Sequence, residues 1–258
     1  MEIQSIVKSK LLLYITPFGY VCYRVISTIM DRAEKRRQRE KSEKAAKSAE
    51  LGRAAGRSPE QQTLTIQQSL GLAMQHHMAE RLTEAESIYR QILNADPDHP
   101  ETLHFLGVIA LQSGKNAAAV ELITKAVALH PDYAEAHNNL GLALQQQKRL
   151  DAAIASYEGA LAINPDFAEA LSNLGDAQEE LGLLDKAVAS RQKALSIQPD
   201  DAEVLGNLGN TLNALGRLDE AVESYQKALA LNPGFYEVHT NLGNVQASRR
   251  HRRLRQIH

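Results

Sequence analysis

The sequence predicts an all-α protein: a right-handed α-solenoid of tandem helix-turn-helix repeats, with a helical or disordered N-terminal extension. Three observations predict it. Leu-Gly returns at Leu140-Gly141, Leu174-Gly175, Leu208-Gly209 and Leu242-Gly243, 34 residues apart each time. Proline keeps the same step at Pro97, Pro131, Pro165, Pro199 and Pro233. Small residues keep it too, as Ala85, Ala119, Ala153, Ala187 and Ala221, and again as Ala126, Ala160, Ala194 and Ala228. A fixed period of roughly 20 to 50 residues marks an array in which each unit buries its face against its neighbours.

Composition agrees with such an array. Of the 258 residues, 43% are hydrophobic but only 5% aromatic, and Trp is absent, as expected of helices packed through Ala and Leu. A single cysteine, Cys22, excludes an intramolecular disulfide. The formal charge of −2 conceals a partition: +6 over residues 1–60, −13 over 61–248 and +5 over 249–258. An acidic body between basic ends bears on partners and surfaces, not on fold.

Four segments follow in order. Residues 1–30 form an apolar N-terminal segment, with an apolar run from Leu11 to Met30 broken by Pro17, Gly19 and Arg24. Crossing a bilayer takes about 20 mostly apolar residues, a length reached here only by including Arg24. A membrane span, a secretory signal without an Ala-x-Ala-like site, an uncleaved or interfacial anchor, and a true start at Met30 all stay open. If residues 11–30 span a membrane, the basic run after them keeps that flank, and the repeats, cytoplasmic. Residues 31–63 are a charged basic linker. Glu40 with Lys44 and Glu43 with Lys47 suit an exposed helix, and without an apolar stripe the segment reads as a solvated spacer. Residues 64–248 carry five repeats and half of a sixth. Residues 249–258 are a basic tail, where Arg249-Arg250-His251-Arg252-Arg253 stands in place of a turn and a second helix.

Each repeat is expected to hold two helices. In the third, the first helix (helix A) runs from about Ala134 to Gln147 and the second (helix B) from about Leu150 to Ile163, ended by Asn164-Pro165 because proline disfavours helix in the residue before it. Asp132 with Glu135 has the spacing of a capping box, repeated at Asp98/Glu101, Asp166/Glu169 and Asp200/Glu203. Glycine inside a helix costs on the order of 1 kcal/mol, so the return of Gly141 implies a close approach by helix B, which buries Ala153, Tyr157 and Ala160. Arg191 stands where Tyr157 and Tyr225 stand in their repeats, and is expected to lay its stem along the stack with its charge outside. The first repeat, with Ala73 for the glycine and Ile92 for the later alanine, suits an end cap.

Leu-Gly, Ala, Tyr, Ala and Pro on a 34-residue step resemble the tetratricopeptide repeat family, over roughly residues 64 to 248. The resemblance implies a superhelix whose concave wall is built from the A helices, with the second, fifth, sixth, ninth, twelfth and thirteenth residues of each facing a groove. Counted from Ala134, Ala168, Ala202 and Tyr236, the sixth places hold Asn139, Asn173, Asn207 and Asn241. An amide both donates and accepts, so such a row suits an extended peptide backbone. It resembles the asparagine ladder in the repeat domain of O-linked N-acetylglucosamine transferases, and is broken by Phe105 in the second repeat. Equally, these side chains could satisfy neighbouring backbone and bind nothing. Asn138, Asp176, Glu179, Glu180, Asn210 and Asn244 fall on the same implied face. Basic residues are missing there, which argues against a clamp for a C-terminal carboxylate. A neutral or basic extended segment is the expected guest, and the chain's own basic ends are candidates.

Catalysis is not expected. The sequence has no His-Glu-x-x-His and no Gly-x-x-x-x-Gly-Lys-Ser/Thr, and its histidines lack metal-ligand spacing; catalytic residues, metal and cofactor are each expected to be none, and nucleic acid is not an expected partner. Two functions remain. One is a non-catalytic, cytoplasmic scaffold that binds an extended peptide, tethered to a membrane if residues 11–30 anchor it. The other is the substrate-recognition arm of a truncated glycosyltransferase or sulfotransferase.

Overall fold

The computed structural model describes residues 64–255. Among them are eleven α-helices and no strand: α1 (Ile66–Met78), α2 (Leu82–Ala95), α3 (Pro100–Gln112), α4 (Asn116–Leu129), α5 (Ala134–Gln146), α6 (Leu150–Ile163), α7 (Ala168–Glu180), α8 (Leu184–Ile197), α9 (Ala202–Ala214), α10 (Leu218–Leu231) and α11 (Tyr236–Arg255). Odd-numbered helices are A helices and even-numbered ones B helices, so the all-α repeat class holds. No described helix is long and apolar enough to cross a membrane; the segments 1–30 and 31–63 lie outside the described residues. The chain divides into two compact units, one ending at Gln112 and one beginning at Ser113.

In the first unit α2 packs on both α1 and α3. Tyr89 and Phe105 stack with ring centroids 5.8 Å apart and planes 11° from parallel, and His77 meets both edge-on. Phe105 interrupts the asparagine series because its ring completes this stack. Ala73 and Ile92 are buried. The one complete capping box among the described helices is at α1, where Thr65 Oγ1 accepts from the Gln68 amide at 3.2 Å and Gln68 Oε1 accepts from the Thr65 amide at 2.9 Å.

His104 of α3 has no exposed surface, and burial, with the nearby His77 adding to it, holds its pKa down to about 3. It is therefore neutral in the fold and protonates only on unfolding, so the unfolded chain binds more protons below the ordinary histidine value of about 6.5. Stability contributed by His104 is complete above that value and falls by up to about 1.4 kcal/mol per pH unit as pH drops toward 3. Urea titrations at pH 7.5 and 5 should show this loss, and His104→Gln should shrink it.

In the second unit consecutive helices pack in sequence from α4 to α11. The B helices bury the expected residues: Ala153, Tyr157, Ala160, Ala187, Ala221, Tyr225 and Ala228 are all 0% exposed. The recurring glycines are packing devices. A Cβ at Gly141 would lie 2.5 Å from Tyr157 Cε1, one at Gly209 2.5 Å from Tyr225 Cε1, and one at Gly175 2.9 Å from Arg191 Cγ.

Each A helix of a complete repeat ends on a left-handed residue: Glu80 (φ 57°), Gly114 (71°), Lys148 (59°), Gly182 (79°) and Gly216 (72°). The amide after it bonds back to a carbonyl one turn into the helix, as in Arg149 to Leu144 and Arg217 to Leu212, the Schellman way of using up terminal carbonyls. The next 34-residue step falls on Arg250, inside α11, which runs on to Arg255.

Two expectations are corrected here. The Asp-x-x-Glu pairs do not form capping boxes, because the aspartate sits one residue too early. The residue at the cap is Tyr133 for α5 and Phe167 for α7, with no side-chain cap bond, while α9 is capped by Asp201, not Asp200, through the Glu203 and Val204 amides. At α3 it is His99 Nδ1 that accepts from the Thr102 amide, at 3.3 Å. Pro-Asp instead fills a turn closed by backbone bonds such as Phe167 amide to Asn164 carbonyl. The second correction is Arg191. Its side chain is 1% exposed, so the guanidinium lies inside the packing and not outside it.

Candidate interaction face

The A-helix side of the second unit is built from two layers of side chains. The first comes through from the B helices. Because the glycine at the eighth place of each A helix leaves no Cβ, the large residue of the following B helix passes over it and reaches polar groups on the A helix beyond. Tyr157 donates its hydroxyl to Gln145 Oε1 at 2.8 Å, 12 residues back. Tyr225 donates to Asn210 Oδ1 at 2.7 Å, 15 residues back. Burial pushes the Tyr225 phenol up to about 12 and that of Tyr157 still higher, so both hydroxyls stay protonated and act as donors.

Arg191 makes the same reach with a charge. One terminal nitrogen donates to Asp176 Oδ1 at 2.7 Å and Glu179 Oε2 at 2.6 Å, again 15 and 12 residues back. The other donates to Thr211 Oγ1 of α9, and Thr211 donates its own hydroxyl proton to the Asn207 carbonyl at 2.9 Å. A buried guanidinium is tolerable only when paired and hydrogen-bonded, and Asp176 and Glu179 supply both conditions.

A second layer links successive A helices. Asn138 of α5 is fully buried; it donates to Glu169 Oε1 at 2.8 Å and accepts from Asn173 Nδ2 at 3.0 Å. Asn139 is also buried. Further along, Asn241 donates to Asn210 Oδ1 at 2.9 Å, the oxygen that also receives the Tyr225 hydroxyl. Glu180 accepts from Gln145 Nε2 and Lys148 Nζ, each at 2.7 Å, and these bonds hold its pKa below the ordinary carboxylate value.

The predicted residues thus separate by surroundings. Asn138 and Asn139 are buried, Asp176 and Glu179 hold Arg191, and Asn173, Asn210 and Asn241 are half-buried members of the amide links. Asn207 is half-buried with no side-chain hydrogen bond among the described residues, and Asn244 is exposed. Sequence reasoning missed Gln145, Glu169, Arg191 and Thr211 as parts of one network. A signal existed for Arg191: Asp176 and Glu179 precede it at the spacings by which Tyr225 finds Asn210 and Tyr157 finds Gln145. Among the described residues no group of three His, Cys, Asp or Glu is placed to hold a metal ion.

Comparison with known proteins agrees with this geometry. Tetratricopeptide repeat profiles match residues 106–166, 144–208 and 209–248. A crystal structure of MamA is 30% identical, covering 64% of this chain and 97% of that one with a TM-score of 0.58. TTC0263, a thermophilic TPR protein of Thermus thermophilus, is 27% identical over 71% of this chain and 100% of its own, with a TM-score of 0.57. YrrB, described as a TPR protein with an unusual peptide-binding site, is 19% identical over 67% of this chain and 89% of its own, at a TM-score of 0.58; that likeness speaks to the fold alone. No curated protein sequence matches. The chain belongs to the tetratricopeptide repeat family.

Proposed function

We propose that the chain is a non-catalytic scaffold that binds an extended segment of a partner protein along the A helices of its second unit. Asn207 carries the reading. It offers an amide donor and acceptor, half-exposed and unengaged among the described residues, between Asn173 and Asn241 at the same place on α7 and α11. Those two spend one N–H each on a neighbouring amide, so an amide of two N–H donors and one carbonyl oxygen keeps further capacity. With −13 over residues 61–248, a neutral to basic guest is favoured electrostatically. On this reading the repeats work in the cytoplasm, and any membrane tether is confined to residues 11–30.

The test is capture from an array of extended neutral and basic peptides by the full chain. Asn207→Ala should weaken capture about five-fold, the worth of one hydrogen bond of roughly 1 kcal/mol, while leaving the urea midpoint in place. Asn138→Ala should lower that midpoint, since it strips partners from Glu169 and Asn173. Equal capture by wild type and Asn207→Ala removes the amide row from the account.

A further inference from the structure

The described residues hold two buried histidines, and both lie in the first unit. His77 of α1 is 4% exposed and His104 of α3 is 0% exposed. In the second unit His137 is half-buried, and His130, His239 and His251 are exposed. Water can deliver a proton to those rings with the helices in place.

The two buried rings sit in apolar company. His77 meets the Tyr89 ring of α2 edge-on with centroids 6.3 Å apart, and Phe105 of α3 at 6.4 Å. His104 lies 5.1 Å from the same Phe105 ring. His77 Nε2 bonds to Gln112 Oε1 of α3 at 3.1 Å. An amide oxygen only accepts, so Nε2 carries the hydrogen and Nδ1 the lone pair. That Nδ1 is buried with no hydrogen-bond partner. A second proton on the ring would have to go there, giving a buried imidazolium with an N–H that meets no acceptor, which is strongly unfavourable. No carboxylate offsets the charge. Burial lowers the pKa of His77 against the Gln112 bond, and burial together with His77 lowers that of His104.

We propose that mild acid opens the first unit, α1 to α3, while the second stays packed, so that the array carries a proton-operated release in its first helices. The direction follows from linkage. Both rings stay neutral while α1 to α3 are packed and protonate once these helices come apart. The open form therefore binds more protons and gains as pH falls below the ordinary histidine value of about 6.5. Between pH 7.5 and 5, His104 alone multiplies the ratio of open to closed form about 30-fold, and His77 adds to it. In the second unit acid pulls both ways. Partial burial raises the Asp176 carboxyl, so protonation there favours the packed form, whereas hydrogen bonds from Gln145 and Lys148 lower that of Glu180. One unit can open by itself because the stability of a repeat array is a sum over units and their interfaces.

The test is hydrogen exchange of the full chain at pH 7.5 and 5, followed by mass spectrometry. Rates are read as protection factors, so that the pH dependence of intrinsic exchange cancels. Protection in α1 to α3 should fall at least about 30-fold, and in α9 and α10 it should change by no more than a few-fold. With His77→Gln and His104→Gln together the fall in α1 to α3 should shrink to a few-fold, whatever the starting protection, because neither amide titrates. If that double variant does not fold, His77→Gln alone is read in the same way and should show a smaller fall than wild type. Undiminished protection of α1 to α3 at pH 5 overturns the proposal. So does a parallel fall in α9 and α10, which would make the acid effect one of global unfolding. A fall as large as that of wild type in either variant overturns it as well.

Discussion

Replacing Arg191 with Ala is expected to cost about 3–5 kcal/mol in urea unfolding, the range for breaking a buried ion pair by removing one partner. The change leaves Asp176 and Glu179 facing each other without their shared cation and removes a side chain that is 1% exposed. A double substitution distinguishes the charge from the volume. Asn210 occupies in α9 the place that Asp176 has in α7, and it accepts from Tyr225 at 2.7 Å. Arg191→Tyr alone restores the bulk but strands both carboxylates. Arg191→Tyr with Asp176→Asn rebuilds the neighbouring repeat's pair, and should recover at least half of the stability that Arg191→Tyr loses. If Arg191→Ala unfolds at the wild-type midpoint, the network does not hold α7, α8 and α9 together.

The second large effect is a contrast between two glycines in the same sequence context. Gly141→Ala drives a methyl group to 2.5 Å from the ring of Tyr157, which is 0% exposed and hydrogen-bonded at its hydroxyl. Overpacking of this kind costs about 1–3 kcal/mol. Gly243→Ala meets nothing and gains up to about 1 kcal/mol of helix propensity. Circular-dichroism melts should therefore move in opposite directions for the two variants. A shift of the same sign in both would mean that the Leu-Gly step acts through backbone flexibility and not through packing.

The period makes most of the fold legible. Proline marks where the B helices stop and the 34-residue step carries the A-helix ends across repeats, which places α5 and α6 to within a residue, and the alanines and tyrosines name the buried side of each B helix. Cap chemistry is less legible, because Asp-x-x-Glu is shared by a capping box and by a Pro-Asp turn that ends one residue before the helix begins. The left-handed turn is visible at Gly114, Gly182 and Gly216 but hidden at Glu80 and Lys148, whose residue types do not announce positive φ. Of the candidate face, a helical register tells which residues share a side. It does not tell which bonds form to a helix 31 to 35 residues away, as Asn138 does with Glu169 and Asn173. Arg191 is misread for a related reason. A lone charge on a packed stripe suggests snorkelling until the two carboxylates of the preceding helix are placed beside it.

The proposal that the A helices of the second unit receive an extended backbone is tested most directly by side-chain amide NMR. The full chain, labelled with 15N at asparagine, is titrated with the tightest peptide from the array. The Nδ2 resonances of Asn173, Asn207 and Asn241 should shift together along one binding curve, with Asn207 moving most. Saturation of the peptide with those three signals unmoved would contradict the account.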